Sequence, residues 1–459
     1  MNPPPLSLHH RPLHVLAWLV LVATFPLIFM GGLVTTHGAG MSVPDWPNSY
    51  GYNMFTFPPS QWVGGIWYEH VHRLWGSLVG FLSILLCLSA WGPAAGDRAR
   101  RRLSTGAWVF VGLSVLSALA VYGLRALEVI SYDQRKRLDH LVVGLVSGAL
   151  ILGAAALSRR AEPRRWVRWL CTLVLIAVCL QGIKGGLRVS HVNLVLAMVH
   201  GCFAQIFFCL AAVTVVVTSR WWATAPDWSS APTASAGRRI IAAGSVAFAA
   251  IFLQLVVGAT MRHSDAGLAI PDLPLAFGKV LPPTDDAALA EANRIRARYA
   301  SDPTIIDSRI RRHLAAPVTL GQVGAHYAHR VGAVVVTGVV LWLAWVAWRR
   351  RESLAGLVLA VVGLLAAQFT LGVLTVLWRK PADIASMHVA TGALLLMCVA
   401  VLTIRACRLY STRFRAAPVL GYDTPALAPE QATELAVPVG CGSIHRPVRA
   451  PVPVASSTP

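Results

Sequence analysis

The sequence predicts an all-α integral membrane protein made of two pseudo-symmetric four-helix transmembrane bundles, a tandem duplication with an extra helical hairpin in the first half. Three observations carry that expectation. Of 459 residues, 56% are hydrophobic and only 13% charged, too apolar for a water-soluble globule. The apolar residues gather into runs of bilayer-spanning length, and one loop motif occurs twice. A bilayer core of roughly 30 Å needs about 20 apolar residues per helix. Such runs lie near 14–34, 70–92, 105–124, 140–157, 166–186, 193–217, 239–260, 326–348, 354–377 and 386–407, about ten spans, of which the third and fourth are the shortest.

Between the runs, charge reports topology. The net charge of +20 does not form a stripe for nucleic acid, because the arginines punctuate the spans in short clusters. Arg98, Arg100, Arg101 and Arg102 follow span two, and Arg159, Arg160, Arg164, Arg165 and Arg168 follow span four. Arg238 and Arg239 precede span seven, and Arg349, Arg350 and Arg351 follow span eight. All fall on one side if both termini are cytoplasmic, as the positive-inside rule requires of a multi-pass protein in a bacterial cytoplasmic membrane. The outer side then receives loops 37–69, 125–139, 184–192, 261–325 and 378–385. The first apolar run leads into GGLVTTHGAG and not into a small-residue cleavage site, so it is read as a retained helix.

The expected organisation is therefore a short cytoplasmic N-terminus (1–13), a first-half bundle (14–220) with an inserted hairpin at about 100–160, and a cytoplasmic linker (221–238). A second-half bundle (239–407) follows, with a long outer loop (261–325), and then a disordered cytoplasmic tail (408–459) rich in Pro, Ala, Ser and Thr. Within the long loop, AALAEANRIRARYA has the pattern of a short amphipathic helix. Seven of the eight cysteines fall in or at the ends of spans and the eighth in the tail, so no outer-loop disulfide is available from them.

The duplication is explicit in GAGMSVPDWPNSYG (38–51), which returns as DAGLAIPDLPLAFG (265–278). Gly40, Pro44, Asp45, Pro47 and Gly51 match Gly267, Pro271, Asp272, Pro274 and Gly278 at one constant offset. Behind each copy comes a span opening on His-Arg, His72-Arg73 and His329-Arg330. Each half then adds a span led by a glutamine (Gln181, Gln368) and a span with one histidine (His200, His388).

Four histidines in a duplicated pattern, two per half on different helices, are costly in a bilayer and face a bundle interior. A single membrane histidine usually serves as an interhelical hydrogen-bonding group. Two facing imidazoles in a four-helix bundle also reach both axial positions of one haem iron, and the repeated pattern favours this reading. Glu69, three residues before His72 on the same face, is either a base or cation stabiliser beside a porphyrin or a structural partner of Arg73. Its equivalent in the second half is His326. Arg73, Arg330 and Arg188 suit haem propionates, and equally lipid phosphates or loop carbonyls. Asp45 and Asp272 are read as turn caps, and Trp46 and Trp67 as part of an interfacial aromatic belt.

Together GAGMSVPDWP, EHVHRLWGSLVG, QGIKGGLRV, VHG, AHYAHRVGAVVV, LGVLTVL and HVATG resemble the haem A synthase (COX15/CtaA) family, across about 14–92, 166–278 and 326–407. The resemblance implies oxidation of the C8 methyl of haem O to a formyl group, through the hydroxymethyl haem I, to give haem A for cytochrome oxidase. It implies that His329 and His388 ligate the iron of a resident haem b, with Arg330 beside it. His72 and His200, with Arg73, would face the substrate haem O, and Glu69 would be the catalytic carboxylate. The partners it implies are the lipid bilayer, haem O, a haem O synthase, cytochrome oxidase assembly factors and an unnamed electron acceptor. Many bacterial members carry a cysteine pair in an outer loop, where this chain has Val43 and Ser49, with Ile270 and Ala276 at the repeat. The competing reading is a bis-histidine diheme b-type electron carrier, which needs the four ligands but has no use for a carboxylate in one half only. A tandem-repeat transporter is a third class and would not hold haem.

Overall fold

In the computed structural model the described residues are 10–92, parts of 102–120, 132–157, 161–225, 234–349 apart from 304, 306 and 307, and 354–411. They form helices α1 (Arg11–Thr36), α2 (Gly65–Trp91), α3 (Tyr132–Leu157), α4 (Arg165–His191), α5 (Leu194–Thr218) and α6 (Arg220–Thr224). The second half continues with α7 (Ala234–His263), α8 (Asp286–Ala300), α9 (Ser308–Ala315), α10 (Leu320–Trp348), α11 (Ala355–Leu377) and α12 (Ala382–Tyr410). Eight of these are long and apolar enough to cross a membrane. The apolar stretch of α3, Leu138–Gly153, is shorter than a span. Half of the expected span 105–124 lies outside the described residues, as do the expected tail beyond 411, residues 226–233 of the linker and residues 1–9.

The first half closes as a ring in which α1 packs on α2, α2 on α4, α4 on α5 and α5 on α1. In the second half α7, α10, α11 and α12 repeat that order. The two rings meet through α1 with α12, α5 with α12, and α5 with α7, a contact set that maps onto itself when the halves are exchanged. The extra helix α3 packs outside the first ring, on α2.

Sequence pattern explains the seams. Leu13, Ala17 and Val20 on α1, and Ile240, Ala243 and Ala247 on α7, recur at helical spacing and are wholly buried. Lipid tails are as apolar as leucine, so close packing must hold the helices together. Glycines supply it: a Cβ on Gly32 would stand 2.9 Å from Ser386 Cβ, across the α1–α12 seam.

Helix ends are set by local chemistry. Asn193 accepts from the Leu196 amide to begin α5, and Thr319 and Gln322 form a capping box at α10. Several helices extend beyond their expected apolar runs, most consequentially at two places. Helix α2 begins at Gly65, ahead of its apolar run, so Glu69 lies within the helix and not in the loop that precedes it. The expected outer loop 184–192 is helical to His191, because Gly185 and Gly186 do not interrupt α4 once its neighbours pack on them. The amphipathic segment of the long loop is helix α8.

Candidate functional site

At one end of the rings, the loop end, each Pro-x-Pro motif folds into the same turn. The Asp45 carboxylate accepts from the amides of Tyr50 and Gly51, both at 2.7 Å, and Asp272 accepts from Phe277 and Gly278, both at 2.8 Å. Tyr50, Gly51, Phe277 and Gly278 all have positive φ, and the aspartates stabilise that bend. Trp46 lies on Gly186 at the end of α4, so its ring closes the loop over the helix.

The His-Arg arginines pin these turns. Arg73 donates from Nη1 to the carbonyls of Asp45 (2.6 Å) and Asn48 (3.0 Å), and from Nη2 to Val43 (2.6 Å). Arg330 donates to the equivalent carbonyls of Leu275, Ile270 and Asp272, at 2.9, 3.0 and 2.7 Å. Both arginines thus fill the loop-carbonyl role open to them in the sequence.

Glu69 is buried, 4% exposed. Its Oε2 accepts from the Val43 amide at 2.9 Å and its Oε1 pairs with Arg73 Nη2 at 2.8 Å. In the second half His326, 3% exposed, does the first of these tasks: its Nδ1 accepts from the Ile270 amide at 3.2 Å. The halves therefore share one hydrogen bond, made by a carboxylate in one and a neutral imidazole in the other. Burying a charge where a neutral acceptor satisfies the same amide is costly without a further use.

The four histidines sit on diagonal helices of each ring, His72 on α2 with His200 on α5, and His329 on α10 with His388 on α12. All four are half-buried, as side chains lining a crevice are. Two imidazoles on one metal, each bonded at about 2.0–2.1 Å with about 1.1 Å from ring nitrogen to ring centre, have centroids about 6.3 Å apart; those of His329 and His388 are 6.4 Å apart, their planes inclined by 76°. That spacing suits two imidazoles sharing one iron. His72 and His200 stand near enough to interact electrostatically.

Each imidazole also rests in a notch on the neighbouring helix. A Cβ on Gly31 would be 3.2 Å from His72 Cε1, on Gly185 3.1 Å from His200, on Gly258 2.9 Å from His329 and on Gly372 3.0 Å from His388. The notches fix where each ring stands. Glutamines one turn before three of these glycines hold the same histidines. Gln181 and Gln254 donate to the carbonyls of His200 (3.1 Å) and His329 (2.7 Å), and the Gln368 carbonyl lies 3.1 Å from His388 Nδ1. The fourth position is Leu27, which has no side-chain amide to offer, and the Nδ1 atoms of both His72 and His200 are buried without a close hydrogen bond. Sequence reasoning missed the glycines and Gln254, yet the signal was present: Gly31 and Gly258 keep the register of Gly40 and Gly267, and Gly185 and Gly372 that of Gln181 and Gln368.

Among known proteins the chain matches the COX15-CtaA family, described as cytochrome oxidase assembly protein, over residues 14–123 and 137–400. It is 27% identical over 243 residues to the Heme A synthase of Symbiobacterium thermophilum, covering 51% of this chain and 67% of that protein. To the Heme A synthase of Caulobacter sp. (strain K31) it is 26% identical over 246 residues, 52% of this chain and 63% of the relative. To that of Shewanella oneidensis it is 30% identical over 146 residues, 31% and 40% of the two lengths.

Proposed function

The chain belongs to the COX15-CtaA family of cytochrome oxidase assembly proteins, and on that footing we propose that it is a haem A synthase, oxidising the C8 methyl of haem O to a formyl group by way of haem I. The observation that carries this reading is a pair of diagonal bis-histidine sites whose surroundings differ at one place, Glu69 against His326.

His329 and His388 would hold a resident haem b, which supplies one-electron redox chemistry when bound. Their spacing suits it, and the glutamine and glycine contacts on both rings favour permanent retention. His72 and His200 would receive haem O. The Nδ1 atoms of His72 and His200 lack the close contacts that those of His329 and His388 make, a looser seat that suits a site that must release its product. Arg73 and Arg330 border the two sites and hold the loops over them.

Oxidising a methyl to a formyl group takes oxygen from water and releases protons and electrons in two two-electron stages. Among the described residues Glu69 is the carboxylate that would take those protons or stabilise the electron-poor carbon. The electrons leave to an acceptor that we do not name. The loop end would face outward in a bacterial cytoplasmic membrane, with both termini inside. A diheme electron carrier would share the histidines but has no need of the Glu69–His326 difference.

The test is co-expression with a haem O synthase, followed by chromatography of extracted haems. Haem A or haem I should appear only when this chain is present. Haem O alone, with the chain inserted and folded, would reject the reading.

A further inference from the structure

Cations at the loop end remain after the turns are pinned. Arg188 on α4, Arg262 on α7 and Lys380 in the turn before α12 all lie near enough to His263 to act on it electrostatically, so the three converge on the seam between the rings. Among the described residues none of them is ion-paired with a carboxylate. The nearest acids are Glu69, held by Arg73, and Asp265.

Arg262 is built into place. Its Nη2 donates to the Gly32 carbonyl of α1 at 2.5 Å and to Thr36 Oγ1, while its Nε is buried with no partner. Arg188 lies against Gly40 and Lys380 against Gly267, the same glycine of the two repeats, although the two cations are not sequence equivalents. Arg188 acts on His72 and His200, and Arg262 on His388. Burial lowers the pKa of Lys380, Arg262 adds to that and Asp265 opposes it. Three clustered cations at a membrane protein seam are costly unless anions accompany them.

We propose that Arg188, Arg262 and Lys380 form one anion seat for the propionate carboxylates of both porphyrins, Arg188 serving the first-half haem and Arg262 with Lys380 the second-half haem. This rests on the haem reading above. It assigns the propionates to residues other than the His-Arg arginines, whose guanidiniums hold loop carbonyls. It also places the carboxylate edges of two haems on one patch of charge, the short side through which electrons would pass.

The test uses the full chain made haem-free in a haem-deficient host, titrated with iron protoporphyrin IX and with its dimethyl ester, which keeps the ring and iron but loses both charges. The parent should bind the free acid at least about tenfold more tightly, as expected for charge-assisted hydrogen bonds. The triple variant Arg188→Gln, Arg262→Gln, Lys380→Gln should bind both forms within about twofold of each other, and Arg262→Lys should keep most of the preference. The haem b reduction potential should fall in Arg262→Gln, a shift that a purely structural contact would not give. A parent indifferent to esterification overturns the proposal, and so does a triple variant that still discriminates. If anionic phospholipid vesicles restore stability to the parent while esterification does not matter, the cations serve lipid phosphate and the proposal fails. Failure of both porphyrins to bind the parent would instead overturn the haem reading beneath it.

Discussion

Replacing Gly258 or Gly372 by alanine asks whether the glycine notches exist for metal-bound imidazoles. The new Cβ would stand 2.9 Å from His329 Cε1 or 3.0 Å from His388 Cε1. Carbon pairs are most favourable at about 3.5–4.0 Å, so the shortfall is roughly 0.5–1 Å. Overpacking of that kind costs about 1–3 kcal/mol. Alanine in a helix returns up to about 1 kcal/mol, in the haem-free and haem-loaded protein alike, so that gain does not enter haem affinity. A free imidazole swings aside at little cost, whereas one tied to iron and to its partner histidine cannot. The penalty of about 1–3 kcal/mol therefore falls on the haem-loaded state, and haem b affinity should drop about 5- to 140-fold at 1.4 kcal/mol per tenfold, with little loss of stability in the haem-free protein. Gly338 is the control, since nothing lies within 4 Å of its Cβ position and Gly338→Ala should leave haem affinity unchanged. The assay is haem b bound per protein, read as pyridine haemochrome after dilution and washing. A Gly258→Ala protein that holds haem b as tightly as Gly338→Ala would refute the reasoning.

Removing His329 or His388 should abolish the haem b absorption of the purified protein, whereas removing His72 or His200 should spare most of that spectrum and stop turnover; the opposite pattern in difference spectra would reverse the two sites. Glu69→Gln should keep haem b and lose haem A formation by a factor on the order of 10², and Glu69→Asp should fall between, measured as haem A per bound haem b. Arg296, 1% exposed in α8, donates to the carbonyls of Leu268 (3.3 Å) and His313 (2.9 Å). Arg296→Met should leave these acceptors unpaired and cost about 1–3 kcal/mol or more, visible as faster protease cleavage between 279 and 318 with both transmembrane rings intact; unchanged cleavage would show that this loop is held by other contacts.

The spans and the duplication were legible because both leave marks that do not depend on partners: length of apolar runs, and a motif repeated at one offset. The histidines were legible for the same reason, since an ionisable group in lipid has few uses. What escaped was relational. Arg73 and Arg330 could have served propionates, phosphates or carbonyls, and only the folded turn shows the carbonyls of Val43, Asp45 and Asn48 converging on Arg73. Gly31, Gly185, Gly258 and Gly372 look like ordinary membrane glycines until the imidazole opposite each is placed. Arg262 reads as a helix-end cation in the sequence, and its reach across the seam to Gly32 is visible only in three dimensions. The helix ends were misjudged at Gly65 and His191 because apolarity marks the lipid-embedded length, whereas the backbone helix continues until a loop or cap stops it.

His326 already shows what a neutral residue at the Glu69 position can do: accept the loop amide and support the turn. Glu69→His therefore transplants one half's solution into the other, keeping an acceptor for the Val43 amide while removing the carboxylate. The decisive measurement is the ratio of haem A plus haem I to haem O in membranes co-expressing a haem O synthase with either the parent or Glu69→His, normalised to bound haem b. The parent should convert haem O, and Glu69→His should bind haem b normally and leave haem O unconverted. Conversion by Glu69→His at the parent's level would contradict a catalytic role for this carboxylate, and haem O alone from the parent would contradict the synthase reading itself.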